Sequence, residues 1–148
     1  MAIDLQIRFD TSDFDDIIPL IKGNWEASGI DIPLELEDIR ASYQAMASVG
    51  TLVVITARDF GEAVGYCVGV VTPHLLNHQC RFVNVSGMYV AKSHQRGSTA
   101  GRMVKAMRDF ANHNNLDHIM WHAPAGSEFE GALTKRYKRV NSYFMEKL

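Results

Sequence analysis

The stretch from Met88 to Met107 reads MYVAKSHQRGSTAGRMVKAM and passes from an apolar strand pattern through a basic turn into a helical pattern. Backbone N–H groups at the start of a helix have no partner within the helix and bind anions such as phosphate. Gly97 and Gly101 lack the side chains that would keep a diphosphate away from the backbone, and Arg96 supplies positive charge. The stretch therefore predicts a diphosphate-binding turn between a strand and a helix.

Two common phosphate-binding loops are excluded by spacing. The nucleotide-binding pattern GxxxxGK followed by Ser or Thr would need a glycine at Arg102, and the dinucleotide pattern GxGxxG occurs nowhere in the chain. The turn is therefore neither a P-loop nor a Rossmann fingerprint.

The remaining sequence predicts alternating strands and helices on both sides of this turn. Apolar periodicity predicts, in chain order, a strand at 3–9, helices at 13–21 and 35–49, strands at 51–56, 62–72 and 81–91, a helix at 99–113, a strand at 116–121, a short helix at 129–136 and a final strand at 140–148. Pro19 either kinks the first helix or places its start later, and Pro73 closes the strand before it. Residues 73–79 suit a loop or an irregular hairpin. The resulting order is β-α-α-β-β-β-α-β-α-β, in which the three central strands form an antiparallel meander.

Length and composition bound the class of protein. A chain of 148 residues that is 47% hydrophobic and 22% charged fits one globular domain, 1–148, with a core that needs no disulfide or structural metal. No charged leader and no long apolar stretch is present, so we expect neither a signal peptide nor a membrane span, and a cytoplasmic location with Cys67 and Cys80 reduced. We expect no metal site, because His74 and His78 lack a third ligand.

The charges are segregated along the chain. The net charge is −2, yet residues 1–40 hold ten of the seventeen acidic residues, and the segment from Met88 to Arg108 contains five basic residues and no acid. The total argues against binding nucleic acid by bulk electrostatics, whereas the basic segment indicates a local anion site.

The basic turn resembles the acetyl-CoA signature of the GNAT N-acetyltransferases, in which Gln or Arg is followed by two residues, Gly, one residue, and Gly or Ala. The matching residues are Gln95, Arg96, Gly97, Ser98, Thr99, Ala100 and Gly101, and they follow the apolar-x-Val strand end Met88, Tyr89 and Val90. Counted from Arg96, the central glycine of the signature falls on Thr99, a departure that predicts weakened or reshaped pyrophosphate contacts. The element order also matches that fold over essentially the whole chain, and the length is similar to that of small phage-encoded members.

The resemblance implies an α/β (α+β) fold with a mixed, mostly antiparallel central sheet flanked by helices, and acetyl-CoA as co-substrate. The backbone of Met88, Tyr89 and Val90 would pair with the pantetheine arm, and one of their N–H groups would hold the thioester oxygen. The pyrophosphate would be bound by Gln95, Arg96, Gly97, Ser98, Thr99, Ala100, Gly101 and Arg102.

The acid and base that relatives carry are not at their usual positions. Where many relatives have Glu on the fourth strand, this chain has Asn84 and Ser86, which can orient a water molecule but cannot act as bases themselves. The position of the Tyr that usually acts as general acid is occupied here by Ala132 or Thr134. Tyr137, Tyr143 and Ser127 remain as substitutes for it. His122, at the end of its strand, is either a substrate contact or an ordinary strand-end residue.

The resemblance implies transfer of acetyl from acetyl-CoA to a primary amine by direct attack on the thioester, with a small molecule or a protein as acceptor. The alternative is a protein that keeps the fold for binding or regulation and does not catalyse the transfer. Thr99, Asn84 and the missing Tyr favour this alternative. A nucleic-acid-binding module is less favoured, because aromatic residues are not interleaved with the basic residues. The acidic first quarter is either a solvated helix face or a funnel for a cationic amine. A homodimer through the predicted edge strand at 140–148 is possible.

Overall fold

The computed structural model of the protein describes residues 3–148. Its strands are β1 (Ile3–Arg8), β2 (Leu52–Asp59), β3 (Glu62–His74), β4 (Asn77–Val90) and β5 (His118–Trp121), and its helices are α1 (Phe14–Ser28), α2 (Leu36–Ser48), α3 (Thr99–His113) and α4 (Glu128–Arg136). A short 3-10 helix, Lys92–His94, lies between β4 and α3. The predicted elements from the first strand to the last helix are therefore all present.

The five strands form one sheet in the order β1-β2-β3-β4-β5. The first three pairings are antiparallel, and β5 pairs parallel to β4. The expected mixed, mostly antiparallel sheet is thus confirmed. Because a parallel pairing needs a crossover connection, α3 carries the chain from the end of β4 back to the start of β5.

Helices cover both faces of this sheet. The apolar side chains of α1 and α2 pack on one face, with Phe14, Ile17, Leu20 and Ile21 buried against Leu52, Val54, Tyr66 and Val68. Helix α3 packs on the other face, with Met103, Met107 and Ala111 buried against Val53, Ile55, Cys67, Val83 and Val85. The strands between two helical layers read as nearly continuous apolar runs for this reason.

The hairpin between β2 and β3 is a two-residue turn formed by Phe60 and Gly61. Both residues have positive φ, 49° and 84°, as a turn of type I′ requires. The turn fixes the register that pairs Asp59 with Glu62.

Two of the four prolines, Pro19 and Pro73, lie inside regular elements. Pro19 is within α1, which begins before it, at Phe14, and not after it. Pro19 has no N–H to donate to the carbonyl of Asp15, four residues earlier. Both residues are exposed, so this carbonyl faces solvent. Pro73 is paired with Arg81 within β3, which continues to His74. β2 begins only at Leu52 opposite Val70, so the missing N–H of Pro73 faces an edge without a neighbouring strand.

Of the two alternatives for residues 73–79, the irregular hairpin is confirmed. β3 and β4 extend to a tip at Leu75 and Leu76, and the register shifts between Pro73 and His74. The predicted final strand at 140–148 is wrong, since residues 137–148 form neither helix nor strand. A strand needs a partner ladder, and this segment is held by side-chain contacts instead, with Phe144 and Leu148 exposed.

Candidate active site

The sheet opens at one end, where β4 continues beyond β5. Their parallel pairing begins at Phe82 opposite His118 and ends at Val85 opposite Trp121. Because β4 continues to Val90, residues 86–90 have β3 on one side and no neighbouring strand, within residues 3–148, on the other. An open strand edge offers N–H and C=O groups to an extended ligand, which can bind as an added strand.

A β-bulge marks the point where the strands separate. Gly87 pairs with Val68 and Val85 pairs with Gly69, so Ser86 is the extra residue on β4. A bulge bends its strand and increases the local twist. It therefore turns the end of β4 away from β5.

Beyond the bulge, alternate residues face the open edge. The Ala91 N–H donates to the Val64 carbonyl at 2.8 Å, and the register then places Tyr89 in a hydrogen-bonded pair that faces β3. Met88 and Val90 direct their backbone groups to the opposite side, which is the open edge. Of the three residues expected to bind the pantetheine arm, Met88 and Val90 therefore have the suitable orientation.

Side chains hold the turn that follows β4. Gln95 donates from Nε2 to the Val90 carbonyl at 2.8 Å, so the side chain of this predicted cofactor residue braces the turn. His94 Nε2 donates to Asp59 Oδ2 at 2.8 Å, and Ser93 Oγ lies 2.7 Å from His94 Nδ1. These contacts connect the turn to the β2–β3 hairpin and fix where α3 begins.

Helix α3 begins with N–H groups that have no acceptor within residues 3–148. Ser98 is the N-cap residue and makes no capping hydrogen bond with its side chain. The Arg102 N–H donates to the Ser98 carbonyl at 2.9 Å, which leaves the N–H groups of Thr99, Ala100 and Gly101 available. Such N–H groups at a helix N-terminus are suited to phosphate oxygens.

The two residues at the glycine positions of the signature leave this helix start clear. The Thr99 side chain is completely buried, so it lies in the interior and not over the turn. A Cβ atom added to Gly101 would meet no atom within 4 Å, so this residue faces open space. The feature of Thr99 that matters structurally is its buried hydroxyl, which has no hydrogen-bond partner.

The two arginines of the turn differ in their surroundings. Arg102 donates from Nη1 to the Ile3 carbonyl at 2.7 Å and so ties α3 to β1. Arg96 is exposed and makes no ion pair within the part of the chain that the structure describes. Arg96 is therefore the arginine with a guanidinium group available to an incoming anion.

A cleft of about 440 Å³ lies between α3 and α4 and adjoins the start of α3. Its lining residues include Ala100, Gly101, Val104, Arg108, Phe129 and Tyr137. Tyr137 is therefore on the α3 side of the sheet, beside residues of the predicted cofactor site. The structure gives it no contact with Asn84 or Ser86, the other two predicted catalytic residues.

Asn84 instead contacts His122, across the end of the parallel pairing. His122 Nε2 lies 2.6 Å from Asn84 Oδ1, and the Tyr143 ring packs on the imidazole with 6.0 Å between ring centroids. Burial lowers the pKa of His122 below its ordinary value of 6.5, so the ring is neutral at neutral pH. Sequence reasoning singled out these three residues separately but missed that they meet.

The other candidates for acid or base have structural roles or stand apart. Ser86 is exposed, and its hydroxyl lies 3.5 Å from the Val68 carbonyl. Ser127 caps α4 by accepting from the Glu130 N–H at 3.1 Å, and Thr134 donates to the Glu130 carbonyl at 2.8 Å. Ser86 thus remains available at the bulge, whereas the hydroxyls of Ser127 and Thr134 are occupied by the backbone of α4.

Many acids of the first quarter are in ion pairs. Arg58 donates to both Asp13 and Asp16, at 3.1 and 2.8 Å, and Arg40 donates to Asp15 at 2.6 Å. These pairs stabilise the start of α1 on β2 and α2 and offset much of its negative charge. The interpretation as a helix face that complements its own dipole is favoured for this part of the chain.

Within residues 3–148 no group of three or more His, Cys, Asp or Glu side chains is placed to hold a metal ion. None of the helices described has the length and apolar character that crossing a membrane requires.

A sheet that opens beside a free helix N-terminus, next to a basic turn, can bind an extended ligand that carries a diphosphate. The chain belongs to the acetyltransferase (GNAT) family, whose model matches residues 15–129. The family predicted from the basic turn is thus confirmed, and the chain is placed among acetyltransferase enzymes.

Solved structures with the same fold have dissimilar sequences. A ribosomal-protein-alanine N-acetyltransferase from Brucella melitensis biovar Abortus 2308 has 18% identity and a TM-score of 0.78, and the match covers 100% of this chain and 99% of that one. A predicted acetyltransferase with acetyl-CoA from Clostridium acetobutylicum has 13% identity, a TM-score of 0.80 and coverage of 99% and 96%.

An aminoglycoside acetyltransferase from an uncultured soil metagenomic sample, in complex with sisomicin, has 14% identity, a TM-score of 0.71 and coverage of 98% and 97%. No curated protein sequence matches the chain. The TM-scores show that the fold is shared. At sequence identities this low, the similarity does not identify the acceptor of this protein.

Proposed function

We propose that the protein is an acetyl-CoA-dependent N-acetyltransferase that moves acetyl to a primary amine by direct attack on the thioester. The observation that carries this proposal is the open edge at Met88 and Val90, next to the free N–H groups at the start of α3. One surface thus offers a strand edge for an amide-containing arm and a helix N-terminus for a diphosphate.

The residues present fit acetyl-CoA, which supplies the acetyl group as an activated thioester when bound. The N–H groups of Thr99, Ala100 and Gly101 would bind phosphate oxygens, with added charge from Arg96. The N–H and C=O of Met88 and the N–H of Val90 would bind the amides of the arm, since Gln95 already donates to the Val90 carbonyl. An N–H of this edge would also hold the thioester oxygen as negative charge develops on it.

The proposed reaction forms one bond and breaks one. The amine nitrogen attacks the thioester carbon, the C–N bond forms, and the C–S bond breaks with its electron pair leaving on sulfur. The nitrogen loses a proton to a base, directly or through a water molecule that Asn84 and Ser86 orient, and the thiolate gains a proton. Tyr137 and Tyr143 are the candidate donors of that proton.

Direct attack is favoured over an acyl intermediate on Cys67 by the state of its buried thiol. Cys67 is completely buried on β3, and burial raises its pKa to about 12. A cysteine nucleophile must be a thiolate in contact with substrate, and Cys67 is neither deprotonated nor accessible at neutral pH.

The acceptor in this proposal is an amine on a small molecule or a protein, and the reaction takes place in the cytoplasm. The structural relatives include an aminoglycoside acetyltransferase and a ribosomal-protein-alanine N-acetyltransferase, which between them act on both kinds of acceptor. This breadth supports an amine acceptor and does not favour one kind over the other.

The test is release of free coenzyme A thiol from acetyl-CoA, with sisomicin, spermidine and a lysine peptide as acceptors. We expect amine-dependent thiol release by the wild type and at least a tenfold lower rate for Arg96→Ala at subsaturating acetyl-CoA, the effect of one lost charge-assisted contact. The matched control is Arg81→Ala, an exposed arginine on β4 that lies nine residues before Val90. Binding of acetyl-CoA without thiol release for any amine would favour the alternative, a binding or regulatory protein.

A further inference from the structure

His122 is held in one tautomer by its hydrogen bond to Asn84. The contact joins His122 Nε2 to Asn84 Oδ1 at 2.6 Å. An amide oxygen carries no hydrogen, so Nε2 must donate. In the neutral ring the lone pair available to accept a proton is then on Nδ1.

The surroundings keep this ring neutral and leave Nδ1 available. Nδ1 has no hydrogen-bond partner within the part of the chain that the structure describes, and it is not among the enclosed unpartnered atoms. The groups that face His122 are Asn84 on β4 and Tyr143 on the C-terminal segment, and neither is a carboxylate or an ammonium group. The half-buried imidazole lacks a nearby anion that would favour its protonation.

His122 lies at the point where β4 and β5 separate. Trp121 is the last residue of β5 that pairs with β4, and His122 follows it directly. Side chains alternate between the faces of a sheet, so Asn84 faces away from the α3 layer that its neighbours Val83 and Val85 join. Asn84 and His122 therefore meet on the sheet face opposite α3, beside the opening.

We propose that His122 is the general base of the transfer reaction and that Asn84 is its positioning residue. This proposal rests on the proposed function and assigns the proton acceptor that the residues at the usual Glu position cannot supply. Nδ1 of His122 accepts a proton from the ammonium form of the acceptor, directly or through one water molecule, which frees the nitrogen lone pair to attack. The imidazolium returns this proton to solvent. As the C–N bond forms and the C–S bond breaks, the second proton of the nitrogen passes to the departing thiolate, which balances the reaction.

The experiment compares two kinds of acceptor with the variants His122→Gln and His118→Gln. His118 is the matched control, because it is an exposed histidine on the same strand. Sisomicin and spermidine carry ammonium groups that must lose a proton before attack, whereas hydroxylamine is already neutral at pH 7. A lost base should therefore slow the first two acceptors far more than the third.

We expect His122→Gln to lower kcat by about 100-fold with sisomicin or spermidine, the lower end of the range for general bases. With hydroxylamine its rate should stay within about threefold of the wild type, and His118→Gln should match the wild type with every acceptor. Calorimetric binding of acetyl-CoA to His122→Gln shows that the variant is folded and that the co-substrate site is intact.

A second readout is the pH dependence of kcat at saturating amine. The wild type should lose activity on the acid side with a midpoint below 6.5, and this limb should be absent in His122→Gln. Equal rates for His122→Gln and the wild type with spermidine, or equal losses with spermidine and hydroxylamine, would overturn the base assignment alone. A wild type that releases no thiol with any amine would overturn the proposed function as well.

Discussion

At the start of α3, the side chain and the backbone of Thr99 have different surroundings. Its side chain is completely buried and its hydroxyl has no partner, while its N–H faces the proposed phosphate site. The substitution Thr99→Val keeps the shape and removes the unsatisfied hydroxyl. We expect it to raise the free energy of unfolding by about 1 kcal/mol, measured by urea denaturation.

Acetyl-CoA affinity measured on the same Thr99→Val protein should be unchanged, since the backbone N–H is retained. Weaker acetyl-CoA binding without a loss of stability would show that the Thr99 hydroxyl contacts the ligand, contrary to its buried orientation. In the structure the Thr99 side chain belongs to the core, and the weakened pyrophosphate contacts expected from its departure from glycine stay a prediction.

His122 also links stability to pH. Its pKa is lowered in the folded protein, so between that value and 6.5 the unfolded chain binds more protons than the folded one. This contribution to stability is complete above pH 6.5 and is lost as the pH falls. The free energy of unfolding of the wild type should therefore decrease more steeply than that of His122→Gln below pH 6.5, and parallel curves would contradict the lowered pKa.

Residue types predicted the cofactor turn better than the chemistry beside it. Arg96, Gly97 and Gly101 lie close enough together in the sequence for a linear pattern to identify an anion site. The contact between Asn84 and His122 depends on the register of two strands that are separated by α3, and nothing in either local sequence specifies that register. Both residues could therefore be named from the sequence, but their partnership could not.

At the scale of elements, the packing of β3 between β2 and β4 limits what its glycines tolerate. A Cβ atom on Gly69 would lie 2.5 Å from Cγ2 of Val83, a completely buried residue that has little room to move. We expect Gly69→Ala to lower the free energy of unfolding by about 2 kcal/mol, as overpacking in a filled core does. Thermal or urea unfolding measures the change.

The matched control is Gly131→Ala in α4. A Cβ atom there meets nothing within 4 Å, and alanine favours a helix over glycine, so this variant should be more stable by up to about 1 kcal/mol. A Gly69→Ala protein as stable as the wild type would mean that the strands at this point are more widely spaced than the structure shows.

Elements with strong periodicity and clear ends were predicted at their true bounds. Helix α3 was predicted at 99–113 and is found at Thr99–His113, because its apolar face is regular and the two asparagines that follow end it. The predicted strand at 140–148 had β-forming residues but no partner edge to pair with. Local preference creates a strand only where another strand provides hydrogen bonds.

At the scale of the whole molecule, the C-terminal segment reaches from α4 to the loop between α1 and α2. Tyr143 packs on His122, and Lys147 binds Asp31 at 2.6 Å. The segment thus lies over the side of the sheet where we place the amine acceptor. The homodimer expected through a strand at 140–148 lacks that strand in the structure.

Removal of residues 141–148 tests the role of this segment. We expect the KM for the amine to rise about tenfold, the loss of one substantial contact, with acetyl-CoA affinity unchanged. Solvent would also reach His122, so its pKa should rise toward the ordinary value and the acid limb of kcat should move to higher pH. An unchanged KM together with an unchanged limb would contradict this placement of the segment.

At the scale of the whole molecule, the proposed function requires acetyl-CoA to bind where β4 opens beside α3. The most direct test is a calorimetric titration of the wild type and of a variant with Arg96→Ala and Gly101→Glu, which removes a positive charge and adds a negative one at the helix start. We expect the wild type to bind one acetyl-CoA and the folded variant to bind at least about 100-fold more weakly. A folded wild type that binds no acetyl-CoA at millimolar concentration would contradict the proposed function.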